Sequence, residues 1–156
     1  MINNHIKLVK ASIDDAEKIW SMQVKAFASL REKYEDYETN PGNESVDKVR
    51  QRIEMNNSDY YFIYNNNIPV GSIRVRVMDD GEKRISPIFI LPKYRNQGIA
   101  QQAIIEAEKI YGSKHWLLET ILEEKGNCYL YEKMGYTSTG KTEVINEKLT
   151  LITYKK

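Results

Sequence analysis

An α/β fold of the α+β kind is predicted: one mixed, mostly antiparallel central sheet of about six or seven strands, flanked by about four helices. Three observations carry this reading. Residues 60–91 contain three β-rich runs separated by Asn65-Asn66-Asn67 and Asp79-Asp80-Gly81, the pattern of an antiparallel meander. The apolar run Ile88-Phe89-Ile90-Leu91 ends at Pro92, then a basic turn leads into a long helical pattern. Helix and strand patterns alternate from there to the end of the chain.

In chain order, Ile6-Lys7-Leu8-Val9 alternates as a first strand. Ser12 and Asp15 read as a capping box, opening a helix with Ala16, Ile19, Trp20, Gln23, Val24 and Phe27 on its inner face. Residues 29–44 are polar, aromatic and irregular, with Pro41-Gly42 among them. A second helix is predicted over 45–55, with Val46, Val49 and Ile53 inward, and Asn56-Asn57-Ser58 stops it. The meander strands are 60–64, 70–78 and 83–91. Pro87 lies inside the third, and proline cannot donate to a ladder, so that strand is an edge, is bulged or has a splayed neighbour. The long helix places Ile99, Ala100, Ala103, Ile104, Ala107 and Ile110 at helical spacing. Trp116-Leu117-Leu118-Glu119 is a further strand. Residues 123–134 form a helix closed by Gly135 as a left-handed C′ residue, and 136–139 and 149–154 are the last strands.

At 156 residues the chain is read as a single domain, residues 1–156, long enough to bury about two-thirds of its unfolded surface without staples. An apolar share of 41% and a charged share of 29% are those of a globular protein. No run approaches the roughly 18 apolar residues of a membrane span, and Met1 to Lys10 has no signal-peptide core, so cytoplasmic residence is expected. The formal charge of +1 gives no global case for nucleic acid or membrane as partner. Cys128 is the only cysteine and His5 and His115 the only histidines, so no intramolecular disulfide can form and no metal site is expected. Cys128 reads as a small apolar helix residue rather than a nucleophile.

The segment Arg95-Asn96-Gln97-Gly98-Ile99-Ala100 joins a strand to a helix N-terminus. The first N–H groups of a helix lack internal partners and carry partial positive charge, so this segment reads either as an anion cradle or, as this stretch alone favours, as an ordinary strand-to-helix turn of an α/β core. Gly98 has no Cβ to keep a phosphate from the backbone. Neither a P-loop nor a Rossmann glycine pattern is present. The segment resembles the pyrophosphate loop of the GNAT acetyltransferase superfamily, Arg/Gln-x-x-Gly-x-Gly/Ala, through Arg95, Gly98 and Ala100, with Ile90-Leu91-Pro92 as the strand end. Leu130-Tyr131-Glu132-Lys133-Met134-Gly135-Tyr136, 30 to 40 residues further on, is similar to that family's Leu-Tyr-x-x-x-Gly-Phe/Tyr signature. The resemblance is tightest over residues 85–136 and loosest before Tyr60.

The resemblance implies a sheet splayed between its fourth and fifth strands, with the pantetheine arm of acetyl-CoA in the opening. It implies that the main chain of Phe89, Ile90 and Leu91 meets the pantetheine and thioester, and that Arg95, Asn96, Gln97, Gly98, Ile99 and Ala100 hold the pyrophosphate. Tyr131 is the implied general acid beside the coenzyme sulfur; on its residue type alone a tyrosine on a helix face is usually a core residue with its hydroxyl at the rim. Asn127, one turn earlier, is either a cofactor contact or a plain helix-start residue, since the family's asparagine usually lies where this chain has Glu123-Glu124-Lys125. The glutamate that many members carry on the strand before the loop is missing, which leaves Glu119, read as facing the slot, as candidate base and acceptor contact. Its alternative is a solvated strand end. Tyr34 and Tyr37, in the acidic-aromatic stretch 34–38, suit a cationic amine, or belong to a surface loop.

The function this resemblance implies is an acetyl-CoA-dependent N-acetyltransferase, in which a primary amine attacks directly within a ternary complex. Its acceptor is a small-molecule amine or a peptide or protein amine, and homodimers are common on this fold. The alternatives are a non-catalytic coenzyme A-binding or regulatory module, and an acyltransferase with another donor or acceptor. Loss of Tyr131 would mark the non-catalytic module, and Tyr131 is present.

Overall fold

The computed structural model describes residues 4–156. Its strands are β1 (Ile6–Lys10), β2 (Ser58–Asn65), β3 (Ile68–Val77), β4 (Lys83–Ile90), β5 (Trp116–Ile121), β6 (Thr137–Val144) and β7 (Thr150–Lys155). They form one seven-stranded sheet in the order β1-β2-β3-β4-β5-β7-β6. Every pairing is antiparallel except β4 with β5, so the predicted mixed sheet is the one found. The helices are α1 (Ala16–Lys33), α2 (Val46–Glu54), α3 (Ile99–Tyr111) and α4 (Lys125–Lys133). None among the described residues is long and apolar enough to cross a membrane.

Strand alternation divides the core between two faces. Tyr60, Phe62 and Phe89 point to the face covered by α1 and α2, where they pack with Ile19, Met22, Ala26 and Val49. Tyr61, Ile63, Ile85, Ile90, Trp116 and Leu118 point the other way, onto Ile99, Ala103, Ile104 and Ala107 of α3 and Cys128 and Tyr131 of α4. Helix α4 ends as its glycine foretells. Gly135 sits at φ 95°, the Tyr136 N–H reaches the Tyr131 carbonyl at 3.0 Å, and the Gly135 N–H reaches Glu132 at 3.1 Å. That is a Schellman closure.

Two elements depart from expectation. Helix α1 runs on to Lys33, through residues that sequence patterning leaves irregular. Nothing between Ala28 and Lys33 breaks a helix, Leu30 continues the inner face, and Arg31 and Lys33 in the last turn suit the negative end of the dipole. Strand β6 is twice the predicted length and wholly exposed, with its register to β7 broken between Ser138 and Thr142, where Gly140 takes φ 82°.

Candidate active site

The central opening lies between β4 and β5. Their parallel pairing covers only Lys83↔Trp116, Arg84↔Leu117 and Ile85↔Leu118, and then stops. On the other side of β4, Val75 pairs with Ile85 and Ile73 with Ile88, so Ser86 and Pro87 together oppose Arg74 alone. This is a β-bulge, and it falls where the strands part. Pro87, which follows a cis peptide bond, therefore lies in the bulge itself. The buried Arg74 side chain donates to the Ser86 carbonyl at 3.0 Å.

Past the bulge, β4 stays paired to β3 on one edge only. The Leu91 N–H donates to Val70 at 2.8 Å, so residues 89 and 91 direct their peptide groups to β3. The N–H groups of Ile88 and Ile90 then face the opening. A cleft of about 410 Å³ occupies it, lined by Ile88, Phe89 and Ile90 of β4, by Ala26, Phe27 and Leu30 of α1, and by the first turn of α3 and one face of α4.

At the end of β4, Asn96 (φ 63°) and Gly98 (φ 74°) are left-handed, and Gly98 is the N-cap of α3. Alternation of this kind gathers N–H groups into an anion-binding concavity. The N–H groups of Ile99, Ala100 and Gln101 precede the first helical donor, since the Gln102 N–H is the one that bonds the Gly98 carbonyl. A Cβ placed on Gly98 would meet no atom within 4 Å among the described residues beyond its chain neighbours. The space before the helix is thus open, and a diphosphate beside an extended amide chain fits the cradle and the unpaired strand edge.

Arg95 has a structural part that its motif does not encode. Its Nε donates to the Ile90 carbonyl at 3.1 Å and its Nη2 to the carbonyl of Ala26. The guanidinium ties α1 to the end of β4 through these two bonds, and Arg95 also lines the cleft. Arg95→Ala is expected to cost about 1–3 kcal/mol in chemical unfolding, with two carbonyls deprived of their donors. Arg95→Lys should not restore it, because an ammonium lacks the planar fork. Wild-type stability in Arg95→Ala would show that these bonds tie nothing.

Tyr131, on α4, lines the cleft and is 9% exposed. Its ring packs edge-on to Tyr136 at 6.0 Å and tilted against Tyr154 at 6.4 Å. Burial, helped by nearby Cys128, pushes its hydroxyl up to about 12, and that hydroxyl has no hydrogen-bond partner among the described residues. Asn127 and Leu130 line the same wall. Cys128 is turned inward, its Sγ 3.7 Å from the Ile121 carbonyl, as a small core residue.

A model of the acetyltransferase (GNAT) family matches residues 27–136. The chain belongs to that family. Solved structures of the same fold include the microcin C7 self-immunity acetyltransferase MccE, in complex with acetyl-CoA and AMP. It is 17% identical, with 99% of this chain and 93% of that chain covered at a TM-score of 0.75. An acetyltransferase from Salmonella typhimurium that modifies the N-terminal serine of a 50S ribosomal subunit protein is 14% identical, with 97% and 94% covered and a TM-score of 0.75. A chimera of the spermidine N-acetyltransferase from Vibrio cholerae and hSSAT is 17% identical, with 96% and 93% covered and a TM-score of 0.73. No curated protein matches the chain in sequence.

Within this GNAT domain several expected contacts lie elsewhere. Glu119 does not face the slot: it is exposed, sits mid-strand opposite Thr153 of β7, and is absent from the cleft wall. Its neighbours Leu118 and Thr120 are the inward residues, so alternation turns Glu119 to the opposite face. Tyr37 is 62% exposed and also outside the cleft. Asp36 is buried and accepts from the Glu38 and Thr39 N–H groups and the Thr39 hydroxyl, so it shapes its own loop. Leu91 and Gln97 do not line the cleft; the Leu91 N–H serves the sheet and the Gln97 carbonyl accepts from Asn4 at 2.7 Å.

Tyr34 is buried rather than open to a ligand, and its hydroxyl donates to Glu124 Oε2 at 2.9 Å. Glu124 is the cleft residue that sequence reading passed over. It stands at the N-cap of α4, lines the cleft, and receives Lys33 Nζ at 3.0 Å on that same oxygen. Burial would raise its carboxyl, but the bonds from Lys33 and Tyr34 and the Lys33 charge outweigh this and hold it below the usual carboxylate range. Outside the cleft, Asp80, Glu82 and His115 bring ligand atoms within 4.8 Å of one another, with Glu82 already paired to Arg84 at 2.9 Å.

Proposed function

We propose that this protein is an acetyl-CoA-dependent N-acetyltransferase that transfers the acetyl group directly to a primary amine within a ternary complex. One observation carries the proposal: the unpaired β4 edge, the N-terminus of α3 and Tyr131 share a single cleft. Acetyl-CoA supplies the activated acetyl group. The N–H groups of Ile99, Ala100 and Gln101 hold the diphosphate, and the slot-facing N–H of Ile90 holds the thioester carbonyl and the charge that develops on it. Tyr131, protonated throughout the working pH range, gives its proton to the departing sulfur, and the proton that the attacking nitrogen sheds passes to solvent, from which the tyrosine is reprotonated. Ala26, Phe27 and Leu30 make one wall of the cleft apolar. Relatives in fold that acetylate spermidine and an N-terminal serine support an amine as acceptor class.

A screen of amines that follows free thiol release, with mass spectrometry of the product, tests the reading. Tight acetyl-CoA binding without acetylated product from any amine, alcohol or thiol would favour a non-catalytic coenzyme A module instead. Glu119→Gln should leave unfolding within about 0.5 kcal/mol of wild type, as an exposed substitution does, and the pH profile of thiol release unaltered. A rate depressed near neutral pH and recovered at high pH would reinstate Glu119 as the base.

A further inference from the structure

At the mouth of the cleft, the last turn of α1 meets the N-cap of α4. Glu124 Oε2 accepts from both Lys33 Nζ (3.0 Å) and the Tyr34 hydroxyl (2.9 Å). Its other oxygen, Oε1, has no hydrogen-bond partner among the described residues. The carboxylate is therefore held in one orientation by one oxygen and has the other to offer. Its side chain is 25% exposed, against 59% for Lys33, so the anion is set into the wall while the cation lies over it from the rim. Tyr34 is anchored in turn, because its carbonyl accepts from Asn146 Nδ2 at 2.9 Å. Phe27 and Leu30 make the adjoining wall apolar. A fixed carboxylate beside an apolar wall is complementary to an alkylammonium group, with charge for the head and the wall for its methylenes.

We propose that Glu124 docks a cationic group of the acceptor, and that Lys33 is the built-in stand-in which that group displaces. The proposal rests on the N-acetyltransferase reading and specifies its acceptor as a cation-bearing amine. Lys33 can leave at little cost: it ends its helix, is the more exposed partner, and can keep its contact over the Tyr34 ring, 5.2 Å from the ring centre. Tyr34 does not leave with it, so the carboxylate stays oriented during the exchange. The role is docking rather than proton removal, since a carboxylate held below its usual range is a poor base.

The experiment is calorimetry of butane-1,4-diamine on the coenzyme A-loaded protein, in wild type, Lys33→Met, Glu124→Gln and the double variant. Glu124→Gln should weaken binding by about ten-fold or more. Lys33→Met should tighten it by about two- to five-fold by removing the competitor. In the double variant the Lys33 gain should vanish, because it depends on the carboxylate. Unchanged binding in Glu124→Gln, weaker binding in Lys33→Met, additive effects, or no diamine binding to either wild type or Lys33→Met would each overturn the proposal. Melting temperatures of all four proteins separate a misfolded variant from a lost site; if Glu124→Gln does not fold, Lys33→Met together with Glu124→Asp, which keeps the charge and draws it back, takes its place and should give intermediate weakening. Thiol release is measured separately. Its absence with every amine, alongside the expected binding pattern, would sink catalysis and leave the cation site standing.

Discussion

Gly98→Val is expected to weaken acetyl-CoA binding by at least about ten-fold, roughly 1.4 kcal/mol. Gly98 occupies φ 74° as the N-cap of α3, a conformation costly to a β-branched residue, on the order of 1–3 kcal/mol. Among the described residues there is room there, since an added Cβ meets no atom within 4 Å beyond its chain neighbours. The substitution therefore acts in two ways that can be told apart. Backbone strain lowers the melting temperature and is shared by Gly98→Ala. Occlusion of the diphosphate's approach grows from alanine to valine. Calorimetry on the folded variants should show affinity falling in the order glycine, alanine, valine, while the melting temperature falls mainly at the first step. A folded Gly98→Val protein that binds acetyl-CoA as tightly as wild type would remove this turn from the cofactor site.

The parts of this molecule legible in its sequence are those set by short-range rules. Asn65-Asn66-Asn67 and Asp79-Asp80-Gly81 fix the meander because residues near them must turn, and Asn66, Asn67 and Gly81 do take positive φ. Gly135 closes α4 for the same reason. Pro87 signals the broken ladder, although which of edge, bulge or splay it marks depends on its neighbours: β3 makes it a bulge, and β5 ends its pairing there. The cleft mouth is legible only in part. Glu124 and Tyr34 are 90 positions apart, and no local pattern tells that one carboxylate meets that hydroxyl. Asp36 and Glu124 look alike in sequence, yet the first is consumed by its own loop and the second faces the cleft. Glu119 failed on parity. A strand's existence follows from its apolar run, but which alternate residues face the cleft is decided by what covers each side, and α4 covers the side of Leu118. Arg95 fits the motif by residue type, while its side chain turns back to the Ile90 and Ala26 carbonyls through a tertiary contact that no motif encodes.

Tyr131→Phe should lower turnover by about 10²-fold while leaving acetyl-CoA affinity and melting temperature near wild type. The split is expected because ring and hydroxyl have separate jobs. The ring packs on Tyr136 and Tyr154 and is kept by phenylalanine. The hydroxyl has no protein partner among the described residues, so its removal strands no buried donor or acceptor. Its proton is strongly held, at about 12. Against an ordinary thiol near ~8.5, handing it to sulfur would be uphill by about 5 kcal/mol, at ~1.36 kcal/mol per pKa unit. The transfer is feasible because the burial that raises the tyrosine also raises a thiolate placed beside it, which narrows the gap. A sign follows for the pH profile. An acid must carry its proton to act, and this one keeps it until pH approaches about 12, so its ionisation should impose no loss of turnover on the alkaline side up to about pH 10. Turnover should instead rise with pH as the acceptor amine loses its proton, in wild type and Tyr131→Phe alike, with the two curves parallel and about 10²-fold apart. Curves that coincide would mean that water or the acceptor protonates the sulfur, and Tyr131 would be a packing residue alone.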